Sequence, residues 1–209
     1  MSTSFAFGIV LAAGASSRMG QVKALMPVAP DGDVAVRHVI RQMLTVCGEC
    51  VVVTGFHEQQ VAAALEGMER VRLVHNEAPQ RGQLSSLQTG IAALHPVSAE
   101  WVLFAPVDCM AIDATVMETL RMAMTTADPD VLLCIPRHCG GRGHPVAFRR
   151  ECASKFLELR QDDTARTLIH SLREQTRYAE IPTADFLLDV DRPEDYAYLL
   201  ALRNREEPK

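Results

Sequence analysis

The chain has 209 residues, of which 48% are hydrophobic and 22% charged, with a formal net charge of −5. That length supports one domain with a substantial core, and that balance excludes disordered and fibrous classes. The 21 Lys and Arg residues are scattered along the chain, which argues against a protein that holds nucleic acid by neutralising many phosphates, so a bound anion has to be gripped locally.

Residues 5–11 form a short apolar run ending in small side chains and are predicted as a buried strand. Directly after it, "LAAGASSRMGQVKALMP" (residues 11–27) breaks into Gly, Ala and Ser and then carries Arg18 and Lys23. Ligands of open α/β sheets bind at the carboxyl ends of strands, where small residues let the backbone approach closely and successive N–H groups make a concave anion site. Leu11, Ala12, Ala13 and Gly14, followed by two cations, therefore read as a triphosphate cradle; the alternative is a tight turn followed by a solvated basic segment. The spacing is neither GxxxxGK[ST] nor GxGxxG.

Further strands are predicted at 51–54, 71–75, 101–106 and 131–136, and helices at 34–46, 58–65, 84–94 and 113–124, where apolar residues recur at three- and four-residue steps. The alternation predicts a Rossmann-like three-layer α/β domain covering 1–209, its sheet mostly parallel and covered on both faces. Beyond it the pattern gives a strand at 144–148, helices at 151–159 and 164–172, a last strand at 186–190, and a closing helix opened by Pro193.

Other chemistry-bearing residues fall between these elements. Gly82, Gln83, Leu84, Ser85 and Ser86 stand at a helix start, where free N–H groups and hydroxyls meet a base, ribose or phosphate, or where serine merely caps the helix. Asp108 and Asp191 each follow an expected strand and together match the one or two carboxylates that hold Mg²⁺ against substrate phosphates; singly, each reads as a cap or turn residue, and Asp189 competes with Asp191. "HCGGRGHPVAF" is a flexible turn or a loop closing on an anion. Cys47-Gly-Glu-Cys50 has redox or zinc spacing without companion ligands, and Asp108-Cys109 hints at a soft metal; the cysteines read chiefly as buried hydrophobes in a reducing compartment. The other histidines, His95 among them, show no ligand spacing. The N-terminus lacks a secretory signal and no apolar stretch reaches the length of a membrane span, so a cytoplasmic protein with no membrane or nucleic-acid partner is expected.

The stretch at 11–27 resembles the signature of the molybdenum cofactor cytidylyl- and guanylyltransferases, MobA-like NTP transferases within the nucleotide-diphospho-sugar transferase folds, and the resemblance recurs in "RGQLSSLQTGI", "LFAPVDCM", "GGRGHPVAF" and "LDVDRPEDY". It implies transfer of a nucleoside monophosphate from an NTP to a phosphorylated acceptor, molybdopterin above all, with release of pyrophosphate and delivery of the product to a molybdoenzyme or its chaperone. By the same resemblance Leu11 to Gly14 meet base and triphosphate, Arg18 and Lys23 hold phosphates, Gly82, Leu84, Ser85 and Ser86 touch the nucleotide, and Gly143 and His144 lie near the acceptor phosphate. Asp108 and Asp191 would carry Mg²⁺, or Mn²⁺ in its place. Cytidylyl members tend to read LAAG where guanylyl members read LAGG, so Ala13 favours CTP, its methyl narrowing the space a purine needs. Many relatives carry Gly-Asp-Met-Pro where this chain reads Val107-Asp108-Cys109-Met110, so the loop around the retained Asp differs.

Alternatives are a GTP- or ATP-using enzyme, a sugar- or alcohol-phosphate nucleotidyltransferase, and a non-catalytic chaperone delivering finished cofactor; a carrier has no need of Lys23, Asp108 and Asp191. A Rossmann dehydrogenase would need GxGxxG after the first strand and an acid closing the second, whereas 51–54 is followed by Gly55-Phe56-His57.

Overall fold

The computed structural model describes residues 4–28, 32–94 and 99–206. β1 (Ser4–Leu11) lies at the centre of one eight-stranded sheet. It pairs in parallel with β2 (Cys50–Thr54) on one side, and β2 pairs in parallel with β3 (Val71–His75). On its other side runs β4 (Ala99–Pro106), also parallel. Beyond β4 the sheet becomes mixed. β5 (Leu133–His138), β6 (Gly141–Arg142) and β7 (Val146–Arg149) follow in sequence, but β7 inserts antiparallel between β4 and β5, and β8 (Thr176–Glu180) runs parallel along the outer edge of β5.

Side chains alternate across β1, so Ala6 and Val10 enter one core while Phe7, Ile9 and Leu11 enter the other. The first core is closed by α1 (Ala35–Leu44), α2 (Glu58–Ala64) and α4 (Ala114–Thr125); the second by α3 (Gln83–Ala92), α5 (Ala153–Leu157) and α6 (Ala165–Ser171). On α1, Val36, Val39, Ile40 and Met43 recur at helical steps and are fully buried, each contributing about 1.5–3 kcal/mol through removal from water. The expected three-layer α/β architecture is thereby realised. No helix among the described residues is long and apolar enough to cross a membrane.

Two features depart from the sequence expectations. Residues 186–190 are not a strand: Asp185–Leu187 is a single 3-10 turn, and the run is apolar because Phe186 and Val190 pack into the first core. β8 and the two-residue β6 are additional; β8 reads Thr-Arg-Tyr-Ala-Glu, a half-exposed edge strand without a continuous apolar run. The cysteines among the described residues are free thiols, all buried except Cys139, and Cys47 and Cys50 pack in the core beneath β1 as small hydrophobes. His95 lies outside the described residues.

The chain leaves β1 toward β2 and β3 and returns through α3 to β4 on β1's other side. The carboxyl ends of β1 and β4, where Leu11 pairs with Pro106, are therefore the point at which the winding reverses and a crevice opens.

Candidate functional site

At that crevice lies a cavity of about 300 Å³ lined by residues 11–18, by Val22, Lys23 and Ala24, by Pro79, Gly82, Gln83 and Ser86, and by Pro106, Val107, Asp108 and Asp191. The loop after β1 is pinned from below. Ala12 N–H donates to Val53 O (2.9 Å), Phe56 N–H to Ala13 O (3.4 Å), and Lys23 N–H to Ser16 Oγ (3.1 Å). Gly55 permits this fit, because a Cβ there would lie 2.8 Å from Ala13 O and 2.9 Å from Ala13 Cβ. Among the described residues the backbone N–H groups of residues 13–18 find no protein acceptor, which is what a phosphate cradle requires.

The second wall is the N-terminus of α3. Gly82, at φ 88° and ψ −168°, adopts a conformation open essentially to glycine and makes no side-chain cap, so the first N–H groups of α3 stay available beside the cavity. Ser86 lines the cavity, and its hydroxyl accepts from Asn76 Nδ2 (3.0 Å), which leaves its own proton for a ligand. Ser85 turns inward instead: its hydroxyl donates to Gly82 O (2.9 Å) and accepts from Asn76, tying the loop before α3 together. Leu84 is buried among neighbours rather than on the cavity wall.

Charge converges on Lys23. Its ammonium donates to Asp108 Oδ2 (3.2 Å) and, at closer range, to Asp191 Oδ1, while Arg18 Nη1 holds Asp191 Oδ2 at 2.6 Å. Burial alone would lower the Lys23 pKa, but the two carboxylates outweigh it and raise it above the ordinary lysine value, so the side chain is a permanent cation. Burial pushes Asp108 above the usual carboxylate value despite Lys23, whereas the Lys23 hydrogen bond holds Asp191 below it.

Asp191 is free for this contact because it does not cap the helix that follows. In α7 (Pro193–Glu206) it is Asp195 that reaches back to the N–H groups of Asp191 (3.0 Å) and Arg192 (2.8 Å). The two carboxylate segments are also joined through the backbone, Val190 N–H donating to Asp108 O (3.1 Å). Asp189 accepts from the Cys109 thiol (Sγ to Oδ1, 3.5 Å), and burial keeps that thiol protonated, well above its ordinary pKa. A protonated, buried thiol is no ready soft-metal ligand.

Gly143 and His144 lie in a second cavity of about 450 Å³, shared with the first through Gln83. Phe104 and Ile135 line it, and α6 contributes Arg166, Ile169 and His170. His144 Nδ1 sits 3.4 Å from Phe104 O; a carbonyl only accepts, so Nδ1 carries the proton. Burial also lowers the His144 pKa, leaving a neutral ring whose Nε2 is an acceptor.

The MobA-like NTP transferase domain matches residues 8–177, which spans both cavities except for the segment bearing Asp191. The chain belongs to the MobA-like NTP transferase family. It is thus an enzyme of the nucleotidyltransferase class. It is similar to the Escherichia coli (strain K12) molybdenum cofactor cytidylyltransferase, 25% identical over 90% of this chain and 92% of the relative. It is also similar to a probable molybdenum cofactor guanylyltransferase of Nostoc sp., 27% identical over 91% of this chain and 88% of that protein. A solved Mycobacterium tuberculosis H37Rv protein superposes with a TM-score of 0.78 at 26% identity, covering 96% of this chain and all of that one. The same protein has been solved as a complex with manganese, with a TM-score of 0.75 at 25% identity over 95% of this chain and 99% of that one.

Gly55, Asn76 and Pro79 at this site have no mark in the sequence. None carries a charge or a motif; each acts on loops and side chains that only the fold brings together. Arg166 and His170 were hidden for another reason, since their expected helix showed nothing of what it would face.

Proposed function

We propose that the chain transfers CMP from CTP to molybdopterin, releasing pyrophosphate. The observation that carries this reading is the Lys23 ammonium shared between Asp108 and Asp191, set between an unpartnered N–H loop and an uncapped helix N-terminus. In this reading, N–H groups of residues 13–18 and of α3 receive triphosphate oxygens, Arg18 and Lys23 add fixed charge, and Ser86 donates to ribose or phosphate. Gly82 gives the nucleotide backbone access; Leu84 and Ser85 shape that wall from behind. The base lies against Leu11, Ala12, Ala13 and Gly14. Ala13 is 4% exposed and packed onto Gly55, so its methyl is a fixed part of the wall and narrows the room for a purine.

The carboxylates suit a hard divalent cation. Asp108 and Asp191 supply carboxylate oxygens, the hard donors that Mg²⁺ or Mn²⁺ takes, gathered here around the Lys23 ammonium. Such an ion would supply charge neutralisation on the phosphates. The acceptor phosphate is already an anion, so no general base is needed, and the protein's task is in-line positioning with electrostatic stabilisation. Lys23, positively charged at all working pH values, is the strongest protein contributor.

The second cavity takes the acceptor, with Gly143 on its wall, where a Cβ would lie 2.7 Å from the Phe186 ring, and neutral His144 offering Nε2 to an N–H of the heterocycle. The manganese complex of the mycobacterial protein supports a divalent ion in this fold, and the cytidylyl and guanylyl relatives support the acceptor while leaving both bases in play; Ala13 favours CTP. The test is pyrophosphate release with molybdopterin and Mg²⁺ on offering CTP, GTP or ATP in turn. CTP should give the highest kcat/KM; a preference for GTP would overturn the base assignment, and release without acceptor would overturn transfer.

A further inference from the structure

The second cavity has a charge pattern that its Gly-His-Pro loop does not explain. It holds two arginines and two histidines and no carboxylate, in a chain whose net charge is −5. Among the described residues neither Arg142 nor Arg166 forms an ion pair; Arg142 lies 5.7 Å from the Tyr178 ring centroid, which braces its guanidinium from one side. Arg166 and His170 are four residues apart on α6 and so project from one face, with Ile169 beside them. Burial disfavours the charged form of His144, so the positive charge of this cavity falls to the arginines.

We propose that Arg142 and Arg166 are specificity-determining residues that select an anionic acceptor with a flat heterocyclic body, the body lying against Phe104, Ile135 and Ile169 and the anion between the two guanidiniums. The inference rests on the second cavity's being the acceptor site of the transferase reaction. An unpaired guanidinium is well suited to this task, since its planar fork binds phosphate-like oxygens in a bidentate manner and stays charged at every accessible pH. Gln83, common to both cavities, marks where an acceptor held in this way reaches the nucleotide. The pair has no part in holding the NTP, which separates its effects from those of Lys23.

The experiment compares wild type with Arg142→Ala, Arg166→Ala and Arg166→Lys in transfer assays with CTP and molybdopterin varied independently. A charge-assisted contact of about 1.5–3 kcal/mol converts to a rise of about 10- to 150-fold in the acceptor KM. The CTP KM should stay within twofold, and Arg166→Lys should recover part of the loss. An acceptor KM unchanged in both alanine variants, or an equal rise in the CTP KM, would overturn the proposal. Calorimetric titration of the same proteins with molybdopterin alone reads the cavity without catalysis. Binding by wild type that the alanine substitutions abolish supports the clamp even if no nucleotide is transferred, and absence of binding by wild type overturns it.

Discussion

Replacing Lys23 with alanine is the most informative single perturbation of the site. The ammonium is 12% exposed and bonded to carboxylates that are themselves 26% and 42% exposed, so it is the least exposed member of a four-charge group that includes Arg18. As a fixed donor aimed at developing negative charge, it should contribute about 2.7–4 kcal/mol to transition-state binding, so Lys23→Ala should lower kcat by about 10²–10³-fold. Its loss also leaves Asp108 without its cation and Asp191 with Arg18 alone. Discounted for solvent at Asp191, that should cost about 1–2 kcal/mol of stability, a Tm decrease of about 2–8 °C. Pyrophosphate release at saturating CTP and acceptor, with a thermal melt on the same sample, separates the two effects. A variant that turns over within tenfold of wild type would refute the assignment of Lys23 as the principal cationic group.

Asp108→Asn should remove most turnover, and no added Mg²⁺ should restore it; a rate near wild type, measured across a metal titration, would remove Asp108 from the site. Asp191 has a folded pKa below its unfolded value, so its stabilising contribution is present above the ordinary carboxylate value of 3.8 and is lost as pH falls through the lowered one. Urea unfolding of wild type and Asp191→Asn from pH 7 to pH 2 should show a gap of under about 1 kcal/mol that closes in acid, and a gap independent of pH would contradict the Lys23–Asp191 pairing. Ala13→Gly should raise the GTP-to-CTP ratio of kcat/KM, whereas an unchanged ratio would mean that the base is read elsewhere. Asp195→Ala removes the reciprocal cap of α7 and should cost about 0.5–2 kcal/mol, seen as a Tm decrease of a few degrees, with absence of any shift counting against the cap.

The central layers were legible because buried parallel strands and amphipathic helices write themselves in hydrophobic periodicity: β3 begins and ends where the pattern does, and α1 to α4 lie within about two residues of it. The far edge was not. β8 is half exposed and alternates Arg, Tyr and Glu, so nothing apolar marks it, while Phe186 and Val190 are apolar for a tertiary reason, anchoring the Asp191 segment beside Asp108. Within the site, the glycine-rich loop, Lys23 and the two carboxylates stood out by residue type and spacing. The division of labour between Ser85 and Ser86 did not, because it depends on Asn76 approaching from β3's end. Asp191 taken singly also fits a helix cap, and the role is filled instead by Asp195, four residues on, which the residue types alone do not distinguish.

The most direct measurement is the fate of the nucleotide's own α-phosphorus. CTP labelled there is incubated with the protein, Mg²⁺ and molybdopterin, and the products are separated and weighed by mass spectrometry. The account predicts label in a molybdopterin–cytidine dinucleotide, formed one for one with unlabelled pyrophosphate. Label remaining in CTP, or released only as CMP, would contradict it.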